Sequence, residues 1–224
     1  MIVRIRRQGA HETTGYWQSF DYDARGVMTV AGMLDELNRR EELLDTSGEP
    51  ARPIRWECSC MQGVCGSCAM VINGKPSLAC LAFIDADAAD VLTVEPLSKF
   101  PVVVDLVVDR ACILEHQKDA LMFLGSKRPA NPREAGQQYT VAKCLKCGLC
   151  LEVCPNYVGG EGRFYGAPLA NEAYLLHSLS EDRRKELKRQ YRKHFERGCS
   201  KSLACRDVCP AKIATLSSIG YMNR

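Results

Sequence analysis

Cys144-Leu-Lys-Cys147-Gly-Leu-Cys150-Leu-Glu-Val-Cys154-Pro155 is a complete C-x2-C-x2-C-x3-C-P run, and its reading decides the second half of the chain. In proteins that hold two adjacent iron–sulfur clusters, the fourth cysteine of such a run ligates the other cluster. A second run is therefore required. It lies downstream as Cys199-Ser-Lys-Ser-Leu-Ala-Cys205-Arg-Asp-Val-Cys209-Pro210, with Ser202 where a second cysteine belongs. Crossing the ligands assigns Cys144, Cys147, Cys150 and Cys209 to a [4Fe–4S] cluster. Cys154, Cys199 and Cys205 remain as a set of three, and a site short of one thiolate fits a cluster short of one iron, [3Fe–4S]. Ligation of a fourth iron by the Ser202 hydroxyl is the lesser alternative.

Upstream, Cys60-Met-Gln-Gly-Val-Cys65-Gly-Ser-Cys68 followed by Cys80 has the plant-type spacing C-x4-C-x2-C…C of a [2Fe–2S] site. Thiolates converging on two irons need a tightly wrapped loop, and Gly63 and Gly66 relieve backbone crowding there. Zinc is the rival, but zinc ribbons join two short C-x2-C hooks, whereas here three cysteines share one loop and the fourth follows alone. Cys58 does not fit the spacing and reads as a plain thiol. Cys112 reads as a small apolar residue inside a helix.

Composition agrees. The chain has 224 residues, 13 of them cysteine, with 46% hydrophobic and 25% charged residues. An odd cysteine count suits metal better than a complete disulfide framework. Charged residues fill Met1-Ile-Val-Arg-Ile-Arg-Arg7 and no apolar stretch follows, so a signal peptide is not expected. A net charge of +3 without aromatic-interleaved basic runs gives no nucleic-acid footprint. The four histidines, His11, His116, His177 and His194, are scattered, and neither a dinucleotide fingerprint nor a phosphate loop is present, so a catalytic residue is not expected in this chain.

The cysteines divide the chain into domains at 1–100 and 101–224, with the fold class α+β. Alternation at 2–6 and the aromatic-rich 16–22 predict two strands, helical spacing predicts a helix over 29–42, and strands follow at 69–72 and 91–94, the first closed by the turn signal Asn73-Gly74. These elements fit a β-grasp plant-type [2Fe–2S] ferredoxin domain. The second part reads as an all-α helical ferredoxin domain, with helices over 102–124, 171–179 and 181–197 and a connector at 125–132. Region 181–197 carries eight Lys or Arg around a stripe of Leu187, Tyr191 and Phe195. A lipid-headgroup role is one reading, and a solvated face over a core stripe is the plainer one.

This layout, including the Pro-Val-Val-Val-Asp-Leu-Val-Val-Asp segment at 101–109, Cys65-Gly-Ser-Cys68-Ala-Met and Leu78-Ala-Cys80, resembles the iron–sulfur subunit of the succinate dehydrogenase/fumarate reductase family. The resemblance implies a flavoprotein partner with covalent FAD, a membrane anchor carrying quinone and in some members haem b, and a peripheral place on the cytoplasmic face of the cell membrane. It implies electron relay between FAD and quinone through three clusters, with Pro155 and Ser200 near the quinone. Ubiquinone-linked members carry a tryptophan where this chain has Gly159, and some members a histidine where it has Ser200. Both departures lean toward menaquinone. The alternative is a carrier subunit for a different flavoprotein reductase.

Overall fold

The computed structural model describes residues 1–24, 26–84 and 91–224. It divides into two compact units, Met1–Asp109 and Arg110–Arg224. That division falls nine residues beyond the boundary expected at 100, because the 101–109 segment packs with the first unit.

In the first unit β1 (Ile2–Arg7) pairs antiparallel with β2 (Tyr16–Asp21). Alternation places Val3, Ile5 and Arg7 on the buried face of β1, the first two without solvent exposure. After β3 (Met28–Thr29) comes α1 (Val30–Asn38), started by Thr29, whose side chain accepts a hydrogen bond from the Gly32 N–H. α1 buries Val30, Met33, Leu34 and Leu37 along one stripe. β4 (Ala69–Ile72) and β5 (Lys75–Leu78) form a hairpin whose turn residues, Asn73 and Gly74, have φ of 47° and 71°. Both lie where the twist-matched two-residue turn needs positive φ. β6 (Phe83–Ile84) pairs with β3, and β7 (Val91–Glu95) enters the sheet parallel to β1 and antiparallel to β4. The sheet order is β2-β1-β7-β4-β5. Pro76 sits in the edge strand β5, where a missing N–H costs no ladder bond.

The helix expected over 102–124 is a correction. Residues Val102–Val104 and Val107–Val108 form a short antiparallel pair, β8 and β9, and only Cys112–Asp119 is helical, as α2. Three successive β-branched valines favour extended backbone, and Asp105 at φ 46° breaks any helix there. Cys112 is accordingly the first residue of a helix, half-buried, and not a mid-helix packing residue.

In the second unit α3 (Pro132–Ala142) follows the Asn131 cap, and α4 (Leu149–Glu152) carries Cys150. α5 (Gly166–Leu179) is buried nearly all round and forms the centre of the unit. α6 (Arg184–His194) and, beyond α7 (Ala204–Asp207), α8 (Thr215–Met222) pack on it. The shared core is Leu169, Ala170, Ala173, Tyr174, Tyr191 and Phe195. Asn171 Nδ2 donates to Thr215 Oγ1 at 3.0 Å, fixing α8 on α5. Among the described residues, no helix is long and apolar enough to cross a membrane.

Candidate iron–sulfur sites

The plant-type loop precedes β4, and the hairpin explains the isolated fourth cysteine. Ala69 and Leu78 are register partners, so Cys68 just before β4 faces the chain just after β5. The Ala79 N–H donates to the Cys68 carbonyl at 2.9 Å, and the buried Cys68 and Cys80 Sγ atoms lie 3.4 Å apart. The loop curls through three residues of positive φ, Met61, Gly63 and Gly66. This curl lets the Gln62 and Val64 N–H groups donate to Cys60 Sγ at 3.3 and 3.4 Å. Gly63 has no room for a side chain: a Cβ there would lie 2.7 Å from Leu81 Cδ1.

The thiols here sit in two environments. The Cys60 N–H and then Ser67 hold the Cys65 thiol down at about 6. Burial, followed by Cys68, pushes Cys80 up to about 11. Cys58 is exposed.

The two downstream motifs fold alike. In the complete run, Lys146 and Gly148 flank Cys147 with φ of 53° and 88°. In the gapped run, Lys201 and Leu203 flank Ser202 with φ of 59° and 64°. Gly148 and Leu203 each stand immediately before a four-residue helix, α4 and α7, whose second residue is a cysteine, Cys150 in one and Cys205 in the other. The chain therefore makes the same turn twice, and Ser202 occupies the conformational place of Cys147. Leucine adopts this left-handed conformation at a cost of roughly 1–2 kcal/mol that glycine escapes, so the gapped loop is held by its surroundings.

Each assigned ligand set borders its own cavity. Cys144, Cys147, Cys150 and Cys209 all line the first, of about 30 Å³, and Cys205 joins them. Cys154, Cys199 and Cys205 line the second, of about 140 Å³, with Ser200 and Ser202, and Cys150 joins them. Cys150 and Cys205 thus stand on both walls, a juxtaposition that spacing alone does not reveal. Ser200 Oγ donates to Asn156 Oδ1 at 2.6 Å, and Pro155 is exposed beside it but outside the cavity lining. Gly159 has φ 106°, a backbone region that suits glycine alone.

The donor chemistry fits iron–sulfur clusters. Burial pushes Cys147 up to about 11 and, reinforced by Cys147 and Cys144, lifts Cys150 well above the ordinary thiol range. Burial raises Cys205 too, with Cys154 and Cys199 adding to it. Thiolates this desolvated and crowded need positive charge in their midst, which iron supplies. Around the first cavity, Lys146 pairs with Glu172 of α5 at 2.7 Å, and Arg110 Nη1 donates to the Cys147 carbonyl at 3.3 Å.

Fold and thiol geometry together define an iron–sulfur protein with a two-iron unit followed by a dicluster unit. Residues 2–115 match the 2Fe-2S iron-sulfur cluster binding domain family, and residues 140–213 match the 4Fe-4S dicluster domain family. The succinate dehydrogenase iron-sulfur subunit of Bacillus subtilis is 31% identical over 98% of this chain and 90% of its own length. The fumarate reductase iron-sulfur subunit of Haemophilus influenzae is 29% identical over 81% of this chain and 80% of its own. In fold, a chain of the Mycobacterium smegmatis Sdh1 complex in the apo form superposes with a TM-score of 0.78 at 22% identity, over 99% of this chain and 93% of that one. The chain belongs to the succinate dehydrogenase/fumarate reductase iron–sulfur subunit family.

Proposed function

We propose that this chain is the relay subunit of a succinate:quinone or quinol:fumarate oxidoreductase, passing electrons between the FAD of a flavoprotein subunit and quinone held by a membrane anchor. Its place is peripheral, on the cytoplasmic face of the membrane, where its partners hold it. When bound, the [2Fe–2S], [4Fe–4S] and [3Fe–4S] clusters accept and release single electrons. The chain's own residues hold and tune them. Cys60, Cys65, Cys68 and Cys80 hold the two-iron cluster; Cys144, Cys147, Cys150 and Cys209 the four-iron cluster; Cys154, Cys199 and Cys205 the three-iron cluster. The Gln62 and Val64 N–H groups withdraw charge from the Cys60 sulfur. The observation that carries the reading is the twice-made turn, with a thiol at Cys147 in one copy and a hydroxyl at Ser202 in the other.

The first unit is best read as a β-grasp domain, its parallel β1–β7 pair at the centre of the sheet, and the second as an all-α ferredoxin domain. Menaquinone is the favoured quinone, with Ser200 and the exposed Pro155 closest to it. Gly159 offers no side chain for a quinone oxygen, and the Ser200 hydroxyl already donates to Asn156. The function is tested by purifying the complex with its native partners and adding succinate anaerobically. Bleaching of the cluster absorbance together with a covalently flavinylated partner supports it. A chain that purifies without a flavoprotein, or clusters indifferent to succinate and to fumarate, sinks it.

A further inference from the structure

The positive charge of this chain is concentrated on α6. Residues 181–197 carry eight Lys or Arg against four carboxylates, while the whole chain is only +3. At 100° per residue, Leu187, Gln190, Tyr191 and His194 point to one side, and all four are buried. Lys185, Lys188, Arg189, Arg192 and Lys193 point to the other, and Arg197 continues the row beyond the helix end. These six cations alone line a broad surface trough of about 490 Å³ with no acidic side chain among its walls. Arg189 is paired with Glu186 at 2.7 Å and Arg192 with Glu196 at 3.6 Å. Among the described residues, no ion pair involves Lys185, Lys188, Lys193 or Arg197.

We propose that this face docks on anionic phospholipid headgroups at a membrane surface. From Lys185 to Lys193 the cations run in a line of about 12 Å along one helix, a shape matched to a plane of phosphates. The aromatic residues of the segment, Tyr191 and Phe195, are buried in the core, so no ring is available to stack a nucleic-acid base. Basic amphipathic helices of this kind gain affinity from each Lys or Arg brought near an anionic surface. From Arg197 the chain runs directly into Cys199 and the wall of the second cavity, where Leu203 and Leu216 are each more than a third exposed. The inference goes beyond the relay reading and needs neither a flavoprotein nor a quinone.

The test is co-sedimentation of the full-length, cluster-loaded chain with vesicles of phosphatidylcholine alone and with about a third phosphatidylglycerol. The chain pellets with the anionic vesicles only and is released by high salt. The combined variant Lys185→Gln, Lys188→Gln, Lys193→Gln, Arg197→Gln loses at least ~10-fold in partitioning, with unaltered cluster absorbance and circular dichroism. Replacing the three lysines by arginine retains binding and shows that charge alone is read. The proposal is overturned if the wild type stays in the supernatant, if neutral vesicles bind it equally, or if the neutralised variant pellets as the wild type does. Tighter binding to duplex DNA than to the anionic vesicles overturns it as well.

Discussion

Arg7 Nε and Asp105 Oδ1 meet at 3.0 Å with side chains only 1% and 2% exposed, a buried ion pair between β1 and the 101–109 segment. Every remaining polar atom of the pair is occupied. Arg7 donates to Gln18 Oε1 and to the Arg52 and Pro53 carbonyls, and Asp105 accepts from the Gln8 and Arg55 N–H groups. The pair fastens the stretch that leads into the plant-type cysteine loop. Removing one partner leaves the other charge buried and alone, which costs about 3–5 kcal/mol. Asp105→Ala therefore lowers the unfolding midpoint of the first unit sharply, and Asp105→Asn, which keeps one acceptor oxygen for Arg7 and Gln8, loses the bond from the Arg55 N–H and tolerates positive φ, lowers it less. Denaturant unfolding followed by far-ultraviolet circular dichroism checks both.

Ser202→Cys supplies a thiol in the place that Cys147 holds in the complete run. It converts the three-iron site to a four-iron site, so the oxidised three-iron resonance disappears and a second reduced four-iron signal replaces it. An unchanged three-iron resonance in this variant counts against the correspondence of Ser202 with Cys147.

Gly63 lies close against the Leu81 side chain in the two-iron loop. Gly63→Ala pushes a methyl into Leu81 at a backbone φ of 74°, so the two-iron cluster is lost or labile while the dicluster signals remain. Cys58→Ser leaves every cluster in place, whereas Cys60→Ser removes the two-iron one. Visible circular dichroism reads all three variants.

His177 is buried against Tyr221, ring centroids 5.5 Å apart, and burial followed by Arg184, Lys188 and Arg128 depresses its pKa to about 4. The unfolded chain, near 6.5, binds the proton first as pH falls. The stability owed to the neutral ring is complete above about 6.5 and is lost as pH falls toward about 4. The urea midpoint of the second unit drops between pH 7 and pH 5, and His177→Gln flattens that drop relative to the wild type.

The grouping of the cysteines was legible because thiolate spacing is a local constraint: Cys68 and Cys80 meet at 3.4 Å, and Cys144, Cys147, Cys150 and Cys209 border one cavity. The Asn73-Gly74 hairpin was legible for the same reason. The helix over 102–124 misleads because β-branching at Val102–Val104 and the neighbouring Asp105 override the apolar periodicity there; Val103 and Leu114, apolar positions of that range, are 47% and 61% exposed. α3 escaped because its sequence is polar and only Val141 is buried, although the Asn131 cap, Pro132 and Glu134 signalled its start. The left-handed residues Lys201 and Leu203 carry no such signal, since neither side chain favours that conformation. Nor does spacing show that Cys150 and Cys205 face both cavities.

Low-temperature electron paramagnetic resonance of the oxidised, full-length chain, followed by dithionite reduction, tests the central claim most directly. The account predicts a three-iron resonance in the oxidised state, with two-iron and four-iron resonances appearing on reduction. An oxidised protein without the three-iron resonance, whose reduced spectrum shows four-iron signals alone, would contradict it.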